Sequence, residues 1–153
     1  FMHTALALAS IGLGFITLVK PKGTRWHRAV GMAYVFAMFG MNVTALTIFE
    51  AFGGFGVFHV LSLVSVTTLL FGFGAAYLRR PPDAWIDAHA HLMAWSYVGL
   101  VAAAFSEIAV RIPGVPFGPG VAVPSFLIPI IGGFWIRRTL GAAAAKRRRG
   151  AGI

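Results

Sequence analysis

This chain is expected to fold as an all-α integral membrane protein, a four-helix core bundle with a fifth, peripheral transmembrane helix. Three observations lead there. Hydrophobic residues fill 58% of the 153 positions and charged residues only 11%, too little polar surface for a soluble domain of this length. Five apolar stretches approach the roughly 20 residues that a spanning helix needs. The segments between them (KPKGTRWHR, EAFGGF, RRPPDAWID and RIPGVPFGPG) are short, basic or rich in Gly and Pro, as turns at a membrane surface should be.

The helices are expected at about 2–19, 28–49, 55–78, 88–110 and 121–138. The first has no basic n-region and no small-residue cleavage site before the KPKGTR turn, so it reads as a retained helix rather than a signal peptide. Because the chain opens on Phe1, a few upstream residues are expected before it. The second helix contains Asn42-Val-Thr44, a glycosylation sequon that is disregarded inside a helix. The third ends at Arg79-Arg80-Pro81-Pro82, and the fourth at Arg111. The fifth carries Pro124 and Pro129 but no histidine or acid. It is expected to cover the core rather than contribute chemistry. Residues 1–139 thus form one transmembrane domain, followed by a basic tail over 140–153. The hairpin from His3 to Trp26-His27 and the hairpin from His59 to Trp85 and His89 suggest a weak internal repeat.

The net charge of +9 is sorted by topology. Lys20, Lys22, Arg25 and Arg28 flank the first turn, and Arg79 and Arg80 the third. Arg137, Arg138, Lys146, Arg147, Arg148 and Arg149 follow the fifth helix. All of these fall on one side of a five-helix topology, with Arg111 alone on the other. The positive-inside rule then places the amino terminus outside and the carboxyl terminus in the cytoplasm, as for a multi-pass protein of a bacterial inner membrane. A topology signal and attraction to anionic lipid account for the basic residues, so no nucleic-acid partner is expected. Trp26, Trp85 and Trp135 fall near the expected cytoplasmic ends, where indoles favour the interface. Cysteine is absent, which excludes disulfides and thiolate metal or haem ligands.

Histidine placement carries the functional reading. His3 and His59 fall toward one face of the bilayer, His27 and His89 toward the other. Neutral imidazole is a good iron ligand, and helical bundles build cofactor sites from facing side chains. The pairs His3 with His59 and His27 with His89 therefore point to bis-imidazole ligation of one or two b-type haems. Small residues nearby (Ala7, Gly14, Gly31, Gly54, Gly56) would let a porphyrin approach the backbone. Arg28 and Arg25 are placed to meet inner propionates, whereas Arg111 is the single basic residue available outside. The bland alternative makes His3 and His27 hydrated interfacial residues, while His59, deeper in an apolar stretch, needs a ligand or hydrogen-bonding role. His89 and His91 point in different directions on a helix. His89 shares a stripe with Met93 and Ser96, and His91 shares a face with Asp87, so His89 is favoured. Glu107 and Arg111, four residues apart, read as a local ion pair or, more sharply, as a quinone-site acid with its neighbour.

Several stretches resemble a bacterial membrane family known as DUF2306. They are His3 opening the first helix, the turn Pro21-Lys22-Gly23-Thr24-Arg25, and His27-Arg28-x-x-Gly31-x-x-Tyr34. With them go Phe58-His59-x-Leu61-Ser62 and His89-x-x-x-Met93-x-x-Ser96-Tyr97-x-Gly99-Leu100. The resemblance covers about residues 3–111 and makes His91 the extra histidine. The histidine placement is also similar to that of cytochrome b561-type proteins, which carry two bis-histidine haems in a four-helix core and move electrons across membranes.

The leading expectation is a small b561-like membrane cytochrome or cytochrome subunit. A quinone or a redox protein would be its partner, with His3, His59, His27 and His89 as ligands. A second is a non-enzymatic structural or assembly subunit of a larger membrane complex, binding partner helices through Gly12-x-Gly14 and Gly72-x-Gly74. A third is an intramembrane zinc hydrolase built on Asp87, His27 and His89 or His91, since catalytic zinc takes three protein ligands and a water.

Overall fold

The computed structural model describes residues 1–48, 54–82 and 84–150, without the side chains of 146–150. Five helices follow in order: α1 (Met2–Val19), α2 (Arg25–Leu46), α3 (Val57–Leu78), α4 (Trp85–Ala109) and α5 (Phe117–Gly150). Among the described residues there is no strand, and all five helices are long and apolar enough to cross a membrane. The all-α membrane class read from composition is the one the chain adopts.

Capping chemistry moves the helix ends from where hydropathy put them. α2 begins at Arg25 rather than at 28, because the Thr24 hydroxyl accepts the backbone N–H of His27 at 3.0 Å. Gly23, at φ 77°, makes the turn before it. The other end of α2 closes at Leu46, and Thr47 donates its hydroxyl to the Thr44 carbonyl at 2.8 Å. α4 begins at Trp85 rather than 88. α5 runs from Phe117 to Gly150 rather than over 121–138. The alanine run at 142–145 and the lysine and arginines after it are strong helix formers, so much of the expected tail is the last part of α5. A helix of 34 residues rises about 51 Å, well beyond the roughly 30 Å of bilayer hydrocarbon. Most of the expected EAFGGF turn, Asp83 and the side chains of Lys146, Arg147, Arg148 and Arg149 lie outside the described residues.

The chain divides within α3 into two compact units, Phe1–Leu70 and Phe71–Ile153. In the first unit α1 and α2 pack antiparallel. Gly40 faces Leu6, where an added Cβ would stand 3.3 Å from the leucine Cδ1. α1 buries two small residues, Ser10 and Gly14, and α2 buries Tyr34, Met38, Met41 and Asn42. Asn42 is only 1% exposed within α2, in accord with disregarding the sequon. In the second unit α4 and α5 pack antiparallel through glycine. Gly132 lies against Val98 and Gly133 against Trp95. Ser106, fully buried, donates to the Val121 carbonyl at 3.3 Å and lies 3.4 Å from the Ser125 hydroxyl. Outward-facing side chains are large and apolar, with Phe36, Phe71 and Phe126 each about two-thirds exposed. Such continuous apolar exposure suits lipid rather than water.

Polar side chains inside the helices bond backward to their own backbone. Ser10 donates to the Leu6 carbonyl, Thr17 to Leu13, Thr67 to Leu63 and Thr68 to Val64, all at 2.7–2.8 Å. These bonds satisfy hydroxyls where no water is available. α3 ends differently. Arg79 takes φ 50°, and the Arg80 N–H reaches back to the Ala75 carbonyl at 3.2 Å, the pattern of a left-handed helix cap usually given to glycine. The Arg79 guanidinium lies 5.9 Å from the Trp85 ring centroid, and a cis peptide joins Arg80 to Pro81.

Two stability outcomes follow, measurable by denaturation in detergent micelles. In Gly132→Ala the new Cβ would come within 2.6 Å of Val98 Cγ2, and a β-branched valine has little freedom to yield. A loss of about 1–3 kcal/mol is expected. At position 79, glycine removes the left-handed penalty and alanine keeps it. Arg79→Gly is expected to be more stable than Arg79→Ala by about 1 kcal/mol.

Candidate functional site

Each candidate histidine lies in the first turns of its helix: His3 in α1, His27 in α2, His59 in α3 and His89 in α4. The rings are held in different ways.

His89 is fixed across two helices of the second unit. Its Nδ1 stands 2.8 Å from the Gly72 carbonyl oxygen of α3. A carbonyl only accepts, so the ring donates Nδ1–H and keeps its lone pair on Nε2. Glycine at 72 allows the approach: a Cβ there would lie 3.0 Å from both Leu92 Cβ and Met93 Sδ. Met93, Ser96 and Leu100 continue the stripe from His89 at i+4, i+7 and i+11, and Ser96 and Leu100 are buried. The residues of this motif therefore form the packed face of α4.

His3 is held similarly within the first unit. Its Nδ1 lies 3.0 Å from Thr44 Oγ1 and 3.2 Å from the Met41 carbonyl, and the threonine hydroxyl donates to that carbonyl at 2.7 Å. Both neighbours accept from the ring, so Nδ1 again bears the hydrogen. His91 bonds through Nδ1 to the Asp87 carbonyl of its own helix at 2.9 Å, on the face that its spacing indicated.

His59 is the exception. It is 1% exposed, its ring stacks on Phe55 at 5.0 Å, and its Nδ1 accepts the Gly56 N–H at 3.1 Å. A side chain reaching back from the third helical residue to the N–H just before the helix is the arrangement of a capping box. A neutral imidazole accepting at Nδ1 carries its hydrogen on Nε2. Of the roles foreseen for His59, the buried hydrogen bond is thus present. His27 is the third residue of α2, and its backbone N–H is the one Thr24 caps. His27 belongs to the first unit and His89 to the second.

Arg25 and Arg28 are exposed on the first turn of α2. Arg25 lines a groove with Leu13, Trp26, Ala29, Val30 and Ala33. Beside it, Lys22 donates to the carbonyls of Thr17 (2.7 Å), Lys20 (3.0 Å) and Leu18. It thereby closes the end of α1. Partial burial pulls its pKa below the ordinary lysine value, and the carbonyls are what make that burial tolerable. At the far end of α4, Arg111 pairs with Glu107, giving the local ion pair expected from their spacing. Among the described residues no three histidine, aspartate or glutamate side chains gather into a metal-binding group.

Sequence reasoning passed over Gly72 as a histidine partner and treated it only as a small-residue face. It also ignored Asn42, whose amide donates to the Met38 carbonyl at 2.8 Å inside α2. A buried amide in a spanning helix was a signal that composition alone does not raise.

A family model described as "Predicted membrane protein (DUF2306)" matches residues 1–128. The chain belongs to this family. The DUF2306 match takes in the first four helices and part of α5, further than the motifs indicated. No curated protein and no solved structure matches the chain.

In this DUF2306 chain, His89→Asn is expected to keep the bond to Gly72, since an asparagine amide can place a donor near the Nδ1 position. His89→Ala should lose about 1 kcal/mol, and Gly72→Ala more than that through the clash with Leu92 and Met93. Denaturation of the three variants in micelles checks the order.

Proposed function

We propose that this membrane protein is a b-type haem protein that carries electrons, with Nε2 of His89 as an axial ligand. The observation that carries the reading is the 2.8 Å bond from His89 Nδ1 to the Gly72 carbonyl. A metal-bound imidazole characteristically donates its other N–H to a carbonyl or carboxylate, which locks the ring and raises the basicity of the ligating nitrogen.

The donor set narrows the metal. The chain has no cysteine, and no three-residue ligand group occurs among the described residues. A porphyrin brings most of its own donors and needs only imidazoles from the chain. A haem held by two imidazoles would supply one-electron chemistry and leave no open position for substrate. The expected stoichiometry is one haem per chain. His59 directs Nδ1 to Gly56, and Arg111, the lone base expected at the other face, is paired with Glu107. We place the carboxyl terminus in the cytoplasm, from the clustering of basic residues on one side of the topology.

One observation favours a non-enzymatic structural subunit instead. Gly12 and Gly74 have no neighbouring atom within 4 Å of a built Cβ, leaving small-residue faces open to partner helices.

The test is a reduced-minus-oxidised visible spectrum with a haem-to-protein ratio, taken on wild type, His89→Asn and His91→Ala. A low-spin b-type spectrum near one haem per chain is expected. It should be lost in His89→Asn although the protein remains folded, and kept in His91→Ala. A folded wild type that stays colourless after haem supplementation overturns the proposal in favour of the structural subunit.

A further inference from the structure

The groove beside the turn between α1 and α2 offers a chemistry of its own, although Arg25 at its mouth is also a base that the sequence offers to a propionate. The groove is open, about 440 Å³ in volume, and is lined by Leu13 of α1 and by Arg25, Trp26, Ala29, Val30 and Ala33 of α2. A narrower cleft adjoins it at Trp26 and Val30, and there Ile16, Thr17, Lys20 and His27 complete the wall. The lining is apolar, and the charges stand at one end of it. Arg25 and Trp26 stand at the first turn of α2, with Lys20 nearby at the close of α1. From Arg25 to Ala33 the helix rises about 12 Å, and below Trp26 the wall is alanine, valine and leucine only.

Charge at the mouth is of one sign. Lys20, Lys22, Arg25 and Arg28 lie within nine consecutive residues, and no aspartate or glutamate is among them. Lys22 is engaged with three helix carbonyls, which leaves Arg25 beside the groove and Lys20 beside the cleft as exposed cations. Trp26 is 72% exposed, the disposition of an indole at the headgroup level.

We propose that this groove is a binding site for one anionic phospholipid. Its phosphate lies between Arg25 and Lys20, and one acyl chain runs along Leu13, Ala29, Val30 and Ala33. A neutral isoprenoid would leave both cations without a counter-charge at the mouth. A soluble anion would leave the apolar length of the groove empty. Only an amphiphile with an anionic head satisfies both ends. Ala29 and Ala33 keep the groove open, because any larger side chain there fills the space the chain occupies. Neither proposal requires the other.

The experiment is native mass spectrometry of the full chain released from detergent, with dioleoyl-phosphatidylglycerol and dioleoyl-phosphatidylcholine supplied in equal amounts. Retention of phosphatidylglycerol over phosphatidylcholine by roughly tenfold is expected from two cations at the membrane surface. Lys20→Gln with Arg25→Gln should abolish the preference. Ala33→Trp keeps every charge and fills the groove, so it should lower phosphatidylglycerol retention to the phosphatidylcholine level. Ala29→Phe provides the same test if Ala33→Trp does not fold. Equal retention of the two lipids by wild type overturns the proposal. So does unchanged phosphatidylglycerol retention in a folded groove-filled variant, which would assign the preference to diffuse surface charge. Displacement of the lipid by millimolar inorganic phosphate would also overturn it, marking an anion site without a chain-binding groove.

Discussion

Every polar atom placed at membrane depth must find its partner within the protein, because hydrocarbon supplies none. That constraint organises the polar contacts of this chain. Serines and threonines turn back onto carbonyls of their own helices, and Asn42 does the same with its amide. Lys22 folds over the open carbonyls at the end of α1. His3 and His89 obey the same rule. Because a ring is longer than a hydroxyl, it can reach beyond its own turn. His89 reaches a neighbouring helix, and His3 reaches a carbonyl and a hydroxyl on α2. An imidazole that secures one nitrogen this way has the other nitrogen defined as donor or acceptor, so satisfying the backbone rule also sets the chemistry of the ring.

Helix separation decides which rings can do this. Lipid does not drive apolar helices together as water does, so close packing depends on small residues. Gly72 brings the α3 backbone against Leu92 and Met93 and, in the same step, within reach of His89. Gly132 and Gly133 seat Val98 and Trp95 between α4 and α5, where no ionisable side chain follows. The same device thus supports a polar contact in one place and packing alone in the other. The difference lies in which residue the partner helix presents.

Much of this was legible in the sequence and some was not, for physical reasons. Hydropathy located five helices, because membrane insertion depends on summed transfer energy over many residues. It placed the start of α2 three residues late, because one threonine hydroxyl fixes that boundary, and a window average cannot see a single bond. It stopped α5 at 138, because the helix goes on through an alanine run and then basic residues that form helix well. Periodicity put His89 with Met93 and Ser96, and His91 with Asp87, since those relations are internal to one helix. Pairing between helices was less accessible. Gly72 as the partner of His89 depends on the register of α3 against α4, and two apolar helices without a distinctive pattern leave register open.

His59 and His89 show why histidine placement alone was insufficient. Both are near the start of apolar helices, and spacing treated them as equivalent ligands. Yet the residue before α3 offers a backbone donor, so His59 turns its lone pair toward Gly56 N–H. The neighbour of His89 offers a carbonyl, so its lone pair faces the other way. The distinction is the direction of one hydrogen, which sequence spacing does not encode. For His59 to ligate a metal through Nε2, the ring would need to move its hydrogen and give up the Gly56 bond, at a cost on the order of 1–3 kcal/mol for the exposed backbone donor. His89 needs no such rearrangement. The asymmetry between two residues of one type therefore separates a ring that completes a helix end from a ring that ties one helix to its neighbour.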